Sequence, residues 1–162
     1  DESLNLCYSI SMTTRSPRPL EQDGVDYFFV SKEEFENKIA EGELLEYAQF
    51  VGNYYGTPLS YVNRLLDEGK NVVLEIEVQG ALQVIKKCPD AISIFILPPS
   101  LEELESRIRG RSTETNEVVL KRLNQAKNEL MAKDSYKYHV VNDDLLRAKD
   151  EIACIIKNNL NK

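Results

Sequence analysis

The stretch "NVVLEIEVQG", residues 71–80, constrains the fold more than any other part of the chain. Val72 to Val78 is nearly all strand formers, and Gln79-Gly80 opens a helical pattern carrying Leu82, Ile85 and Lys86. Ile92 to Leu97 is a second apolar run, closed by Pro98-Pro99. Strands this continuously apolar belong to parallel sheets, because helices cover both of their faces. Ser100 with Glu103 forms a capping box, and Leu101, Leu104 and Ile108 follow on one helix face. A long helix is expected within Thr113–Lys133, with Leu123, Ala126 and Leu130 inward. His139-Val140-Val141 reads as a short strand, and Asn142 or Asp143 as the cap of a last helix. Strands alternating with helices predict an α/β fold with a parallel sheet of segments 6–12, 72–78, 92–97 and 138–141.

Between the first two of these strands the pattern changes. Tyr27 to Val30 reads as a strand, Ser31 and Glu34 as a capping box, and Gly42 as the end of a helix bearing Phe35 and Ile39. Leu45–Phe50 and Tyr54-Tyr55 flank Gly52-Asn53, which predicts a hairpin. Leu59, Val62 and Leu66 line a helix that stops at Gly69. Residues 13–66 are therefore expected to form a mixed insertion in a core made of 1–12 and 67–162.

The 162 residues suit one domain of ordinary size, with 42% hydrophobic and 29% charged side chains. A net charge of −7 argues against broad nucleic-acid binding, which draws its affinity from many phosphate contacts. The longest apolar-leaning run, Ala91 to Leu101, is too short for a membrane span. Cys7, Cys88 and Cys154 are scattered, which predicts buried thiols in a reducing cytoplasm rather than disulfides or zinc ligands. Because the chain begins at Asp1 and runs straight into a strand, it is expected to be the remainder of a longer protein.

Four stretches carry chemistry. "SISMTTRSPRP", residues 9–19, holds five hydroxyls, two arginines and no acid. Arg15 and Arg18 sit three apart across a proline, and guanidinium forks match phosphate oxygens in shape and charge. The alternative is a solvated loop. In "EYAQFVGNYYGT", residues 46–57, Glu46 precedes three tyrosines and Thr57. A carboxylate accepts paired N–H donors such as guanine N1–H and N2–H, and tyrosine hydroxyls bond phosphate; the alternative is an aromatic hairpin packed on the domain. Glu75 and Glu77 fall on one side of a strand whose other side is apolar, so they face either a cleft or water. Arg107, Arg109 and Arg111 flank a polar break at Gly110 and Ser112, with Arg122 beyond it, as in a lid over a transferring phosphoryl group or in an ion-paired surface helix. His139 has no triad or metal partners nearby in sequence and reads as structural.

In their order, "SISMTTRSPRP", "DGVDYFFV", "EYAQFVGNYYGT", "LEIEVQG", "RGRSTET" with "KRL", and "VVND" resemble the guanylate kinase family over essentially the whole chain. The resemblance implies a P-loop-kinase-like parallel sheet flanked by helices, a mixed α+β GMP-binding insertion and a helical lid over about 107–122. It implies transfer of the ATP γ-phosphoryl group to GMP, with Mg2+, giving GDP and ADP. Arg15, Arg18, Tyr27 and Tyr55 would grip the GMP phosphate, and Ser11, Glu46 and Thr57 would read guanine. Glu77 stands where the family commonly has an aspartate near the guanine amino group. Glu75 would lie near magnesium and its waters. Arg107, Arg111 and Arg122 would surround the ATP phosphates and the transferring group, Arg111 also binding ATP, with Asn142 near the adenine or ribose. A cytoplasmic monomer or homodimer, with no nucleic-acid or membrane partner, is implied as well.

The chain departs from that pattern in one respect: the Gly-rich loop ending in Gly-Lys-[Ser/Thr] does not occur in these residues. Such a chain, if complete, is expected to bind GMP without appreciable turnover. The alternative function is a non-catalytic guanylate-kinase-like module that binds GMP or phosphopeptides. Glu46, Thr57, the tyrosines and the lid arginines oppose it, since a peptide binder needs no base reader.

Overall fold

The computed structural model describes residues 2–50, 52–110 and 116–160. Its elements divide between two units, Asp1–Pro89 and Asp90–Lys162. In the first unit β1 (Leu6–Tyr8), β2 (Met12–Thr13) and β3 (Phe28–Phe29) precede α1 (Lys32–Ala40). The hairpin β4 (Leu44–Phe50) and β5 (Asn53–Pro58) follows, then α2 (Leu59–Asp67), β6 (Asn71–Val73) and α3 (Val78–Lys87).

The strand expected over 6–12 is two strands serving two sheets. β1 pairs in parallel with β6, Leu6 opposite Asn71. After Ser9 the chain leaves that sheet. Met12 and Thr13 pair with Phe28 and Phe29 on one side, and with Gly56 and Tyr55 on the other. The resulting four-stranded sheet has the order β3-β2-β5-β4. The strand expected over 72–78 likewise ends its ladder at Val73, and Glu77 becomes the N-cap of α3. Residues 74–77 keep the two-residue alternation: Glu75 and Glu77 are exposed, while Leu74 and Ile76 pack against Leu45, Val62 and Val84.

Local signals place the helices. Ser31 Oγ accepts the Glu34 N–H at 3.1 Å and starts α1. Gly42 and Gly69, with φ of +70° and +73°, take the left-handed conformation that ends α1 and α2. On α2 the buried pair is Val62 and Leu65 rather than Val62 and Leu66, which is 52% exposed. One core cluster joins Met12, Phe35 and Leu44 with Phe28, Val30, Ile39 and Tyr54. At its centre Phe35 stacks on Tyr54, ring centroids 5.1 Å apart.

The second unit contains β7 (Ile94–Leu97), α4 (Leu101–Gly110), α5 (Asn116–Leu130), β8 (Tyr138–Val141) and α6 (Leu145–Leu160). β7 and β8 pair in parallel, Ile94 opposite Tyr138. Phe95 and Val140 are buried, but Ile96 is 53% exposed, so β7 is not covered on both faces as its apolar run suggested. Residue Asp144, not Asn142 or Asp143, caps α6: its Oδ1 accepts the Arg147 N–H at 2.8 Å. Asp143 instead takes the Asp144 N–H and the Arg147 guanidinium. The thiols also correct the sequence reading. Cys88 and Cys154 are exposed and Cys7 is half-buried, all three free, because Cys88 terminates α3 and Cys154 lies on the open side of α6. Among the described residues, no helix is long and apolar enough to cross a membrane.

Phe35→Ala leaves a cavity under the four-stranded sheet. Urea denaturation should show a loss of about 3–5 kcal/mol, far more than Leu66→Ala produces.

Candidate functional site

A bulge in β4 creates the site. Leu44 lies opposite Pro58 and Glu46 opposite Thr57, with the register shifting between Leu44 and Glu46. Thr57 and Pro58 alternate across the sheet, so Leu44 and Glu46 face opposite sides although they are two residues apart. Leu44 joins Met12 and Phe35, and Glu46 is directed to the other side, where it is 3% exposed. The Thr57 hydroxyl donates to Glu46 Oε1 at 2.6 Å. Burial pushes the Glu46 carboxyl above its ordinary range, and the Thr57 hydroxyl and Lys87 ammonium pull it back in part.

The polar face of α3 closes this arrangement. Gly80, Gln83 and Lys87 recur along the helix toward the free edge of β4. Gln83 Nε2 donates to the Tyr47 carbonyl at 2.6 Å, its Oε1 accepts the Tyr47 N–H at 3.3 Å, and Lys87 Nζ donates to the Leu45 carbonyl at 2.5 Å. An unpaired strand edge is thereby satisfied by side chains. Gln83 and Lys87 escaped the sequence reading; their spacing was visible, but nothing local marked β4 as an edge strand.

Tyr55 sits two residues before Thr57 on β5 and shares its face. It lies beside Tyr27, ring centroids 6.2 Å apart, and the Arg15 guanidinium stands 5.4 Å from the Tyr27 ring. Arg15, Tyr27 and Tyr55 are thus together, as the sequence suggested. Glu21, which the sequence reading missed, completes the cluster. It accepts from Arg15 Nη1 at 3.0 Å and Nη2 at 2.9 Å, and from the Arg18 backbone N–H at 2.7 Å. Glu21 is the main reason the Arg15 pKa is raised, with Tyr55 adding to it. Glu21 and the Ser16 carbonyl engage three of the five guanidinium N–H groups. The Tyr55 side chain also bonds the guanidinium.

The other residues of the opening loop divide differently. Arg18 is exposed and Ser11 half-buried. Thr13 donates to the Tyr54 carbonyl at 2.9 Å, and Thr14 Oγ1 accepts the Tyr54 N–H at 2.9 Å. These two hydroxyls therefore fasten this segment to β5. Ser9 Oγ is buried with no partner among the described atoms. Glu75 and Glu77 are exposed, and the described residues contain no cluster of three or more His, Cys, Asp or Glu able to cage a metal.

In the second unit Arg107 Nε donates to Glu103 at 2.8 Å and Nη1 to the Asn142 carbonyl at 2.9 Å. Arg107 and Asn142 are therefore neighbours. Arg109 donates to Glu105 and Asn116, each at 2.8 Å, tying α4 to α5. Arg122 is half-buried on α5. Arg111 lies outside the described residues, as do the Ser112 and Thr113 of the expected lid break. His139 Nε2 meets the Lys133 carbonyl at 2.8 Å, in keeping with a structural role. A separate cavity of about 360 Å3 is lined by Phe28, Lys38, Tyr61 and Arg64 among others, and contains none of the predicted site residues. Its charges are already engaged: Lys38 pairs with Glu43 at 2.8 Å and Arg64 lies over the Tyr61 ring.

An ionised carboxylate kept from water opposes folding. Its raised pKa makes the unliganded chain less stable as pH rises through that pKa, and removes the cost below the ordinary value of 4.5. Thermal denaturation of Glu46→Gln at neutral pH should give a melting temperature no lower than the parent's. The difference should close as pH falls toward 4.5. A marked loss of stability at neutral pH would contradict this account of the buried carboxylate.

Comparison with known proteins agrees with the geometry. The family model described as guanylate kinase matches residues 2–159. The chain is 56% identical over 150 residues to the guanylate kinase of Streptococcus pneumoniae (strain ATCC BAA-255 / R6), covering 93% of this chain and 72% of that protein. It is 56% identical over 158 residues to the guanylate kinase of Oceanobacillus iheyensis, covering 98% of this chain and 77% of that one. The crystal structure of guanylate kinase from Anaplasma phagocytophilum superposes with a TM-score of 0.82 at 35% identity, over 98% of this chain and 78% of that one. The α/β fold is therefore that of a guanylate kinase, and the chain belongs to the guanylate kinase family.

Proposed function

We propose that the chain transfers the γ-phosphoryl group of ATP to GMP, forming GDP and ADP, with Glu46 and Arg15 at the two ends of the acceptor. One observation carries this reading: Glu46 and Thr57 form a buried pair on the sheet face that also bears Tyr55, which stands beside Tyr27 and Arg15. A carboxylate at one end and a guanidinium at the other match a purine monophosphate. Guanine N1–H and N2–H are donors for Glu46, whereas adenine offers an acceptor at N1 and leaves the carboxylate with no donor from the base, at a cost of about 1–3 kcal/mol.

In this reading residues 13–66 form the monophosphate-binding part. Arg15, Arg18, Tyr27 and Tyr55 hold the phosphate, while Ser11, Glu46 and Thr57 hold the base, with Glu77 toward its amino group. An oxygen of the GMP phosphate attacks the γ-phosphorus, and the bond from that phosphorus to the bridging oxygen of ADP breaks. Charge on the transferring group calls for fixed cations. Arg107, Arg111 and Arg122, in the lid segment of about 107–122, are assigned that role, with Arg111 and Asn142 on ATP. Asn142 is held beside Arg107 by its own carbonyl.

Magnesium suits the carboxylates present, because it keeps most of its waters and takes one or two carboxylates with substrate phosphates rather than a protein cage. Exposed Glu75 would face those waters, and the ion would supply neutralising charge to the ATP phosphates. A monomer or homodimer in the cytoplasm, without nucleic-acid or membrane partners, completes the reading.

Calorimetry with GMP, AMP and a phosphopeptide tests it. GMP should bind in strong preference to AMP, and Glu46→Gln should weaken GMP by about ten- to a hundredfold. Arg15→Lys should also weaken GMP, since a point charge cannot replace the fork, and should leave guanosine binding nearly unchanged. Phosphopeptide binding without GMP binding would instead establish the non-catalytic module.

A further inference from the structure

We infer that Gly80 is a positioning residue whose missing side chain sets where the Glu46 carboxylate stands, and thereby makes α3 part of the purine-discriminating apparatus. The inference rests on the reading of Glu46 as the base-pairing group. Gly80 is buried in the first turn of α3. A methyl group placed on it would overlap Glu46 Oε2 outright and stand 2.7 Å from Cδ and 3.4 Å from Cγ. No other atom outside Glu46 is among its three nearest obstacles. The space denied to a side chain at position 80 is therefore the space the carboxylate occupies.

The obstacle cannot be avoided by a small adjustment. Glu46 is 3% exposed and its Oε1 is held by Thr57 at 2.6 Å. Its backbone is held as well, because Glu46 is paired opposite Thr57 in the β4–β5 ladder. On the other side α3 is fastened to β4 by the Gln83 and Lys87 bonds to Tyr47 and Leu45, the two residues flanking Glu46. Helix and strand are thus registered on either side of the carboxylate, and a methyl between them displaces the carboxylate rather than the helix. Alanine is a better helix former than glycine by about 1 kcal/mol, so Gly80→Ala should not lose the helix itself.

A double-substitution cycle in the full chain tests the coupling. Gly80→Ala should weaken GMP about ten- to a hundredfold, the scale of losing a charge-assisted pair of hydrogen bonds, with the KM for ATP unchanged. The GMP-to-AMP preference should narrow by a similar factor. Glu46→Asp withdraws the carboxylate by one methylene, so adding Gly80→Ala to that variant should cost less than about threefold more. Equal losses in both backgrounds, or no loss in either, would overturn the inference. If Gly80→Ala alone fails to fold, the Gly80→Ala/Glu46→Asp protein should fold; failure of both would show that the methyl strikes something other than the carboxylate. Failure of the base-reading itself is distinguishable. GMP affinity would then be indifferent to Glu46→Gln, while the coupling between positions 80 and 46 would still be read in melting temperatures.

Discussion

A carboxylate removed from water is tolerable only if its surroundings are made for it, and the burial of Glu46 organises much of the first unit. Thr57 donates to one oxygen, α3 packs against the other, and Lys87 lends positive charge from the same helix. Each of these needs a different piece of secondary structure to be in register. The bulge in β4 aims the side chain, β5 brings Thr57 opposite, and the edge bonds of Gln83 hold α3 close. Desolvation raises the cost of the charge while sharpening its preference for a matching pair of donors, because an unsatisfied buried acceptor is expensive.

The Arg15 cluster follows a different logic. Its guanidinium is preorganised by an acid that belongs to the same loop, Glu21, and by the neighbouring rings of Tyr27 and Phe29. Aligned donors cost little further entropy when an anion arrives. Leu20, with φ of +79° and nearly full exposure, is the strained residue immediately before Glu21. That strain is tolerated where the chain must fold Glu21 back beneath Arg15 and the Arg18 amide. In the proposed reading, acceptor specificity and acceptor charge are handled by two constructions, one buried and one only part-buried.

Much of this was legible in the linear chain because it depends on neighbours in sequence. Ser31 and Ser100 cap their helices at the third amide as the capping pattern implies. Residues 46–50 and 53–57 pair as a hairpin as expected, though Asn53 lies opposite Phe50 in the ladder rather than in the turn, and Tyr55 and Thr57 share a face simply because strands alternate. What was not legible depended on partners far along the chain. The strand assigned to 6–12 changes sheets midway, since Met12 finds Phe28 and Gly56. Exposure of Cys88 and Cys154 depends on which helix faces are covered, which no cysteine spacing encodes. Glu21 was passed over because an acid beside two arginines looks like ordinary compensation until its bidentate geometry is seen.

The chain by itself determined the α/β class, the family to which it belongs and the residue types of the site, since periodicity, caps and ordered motifs are properties of sequence neighbours. Only the tertiary structure decided that Leu44 and Glu46 part company across a bulge, that Gly80 must lack a side chain, and that Gln83 and Lys87 finish an edge strand. Those outcomes depend on which atoms meet across 11 to 42 residues of chain, and close packing rather than local propensity selects them.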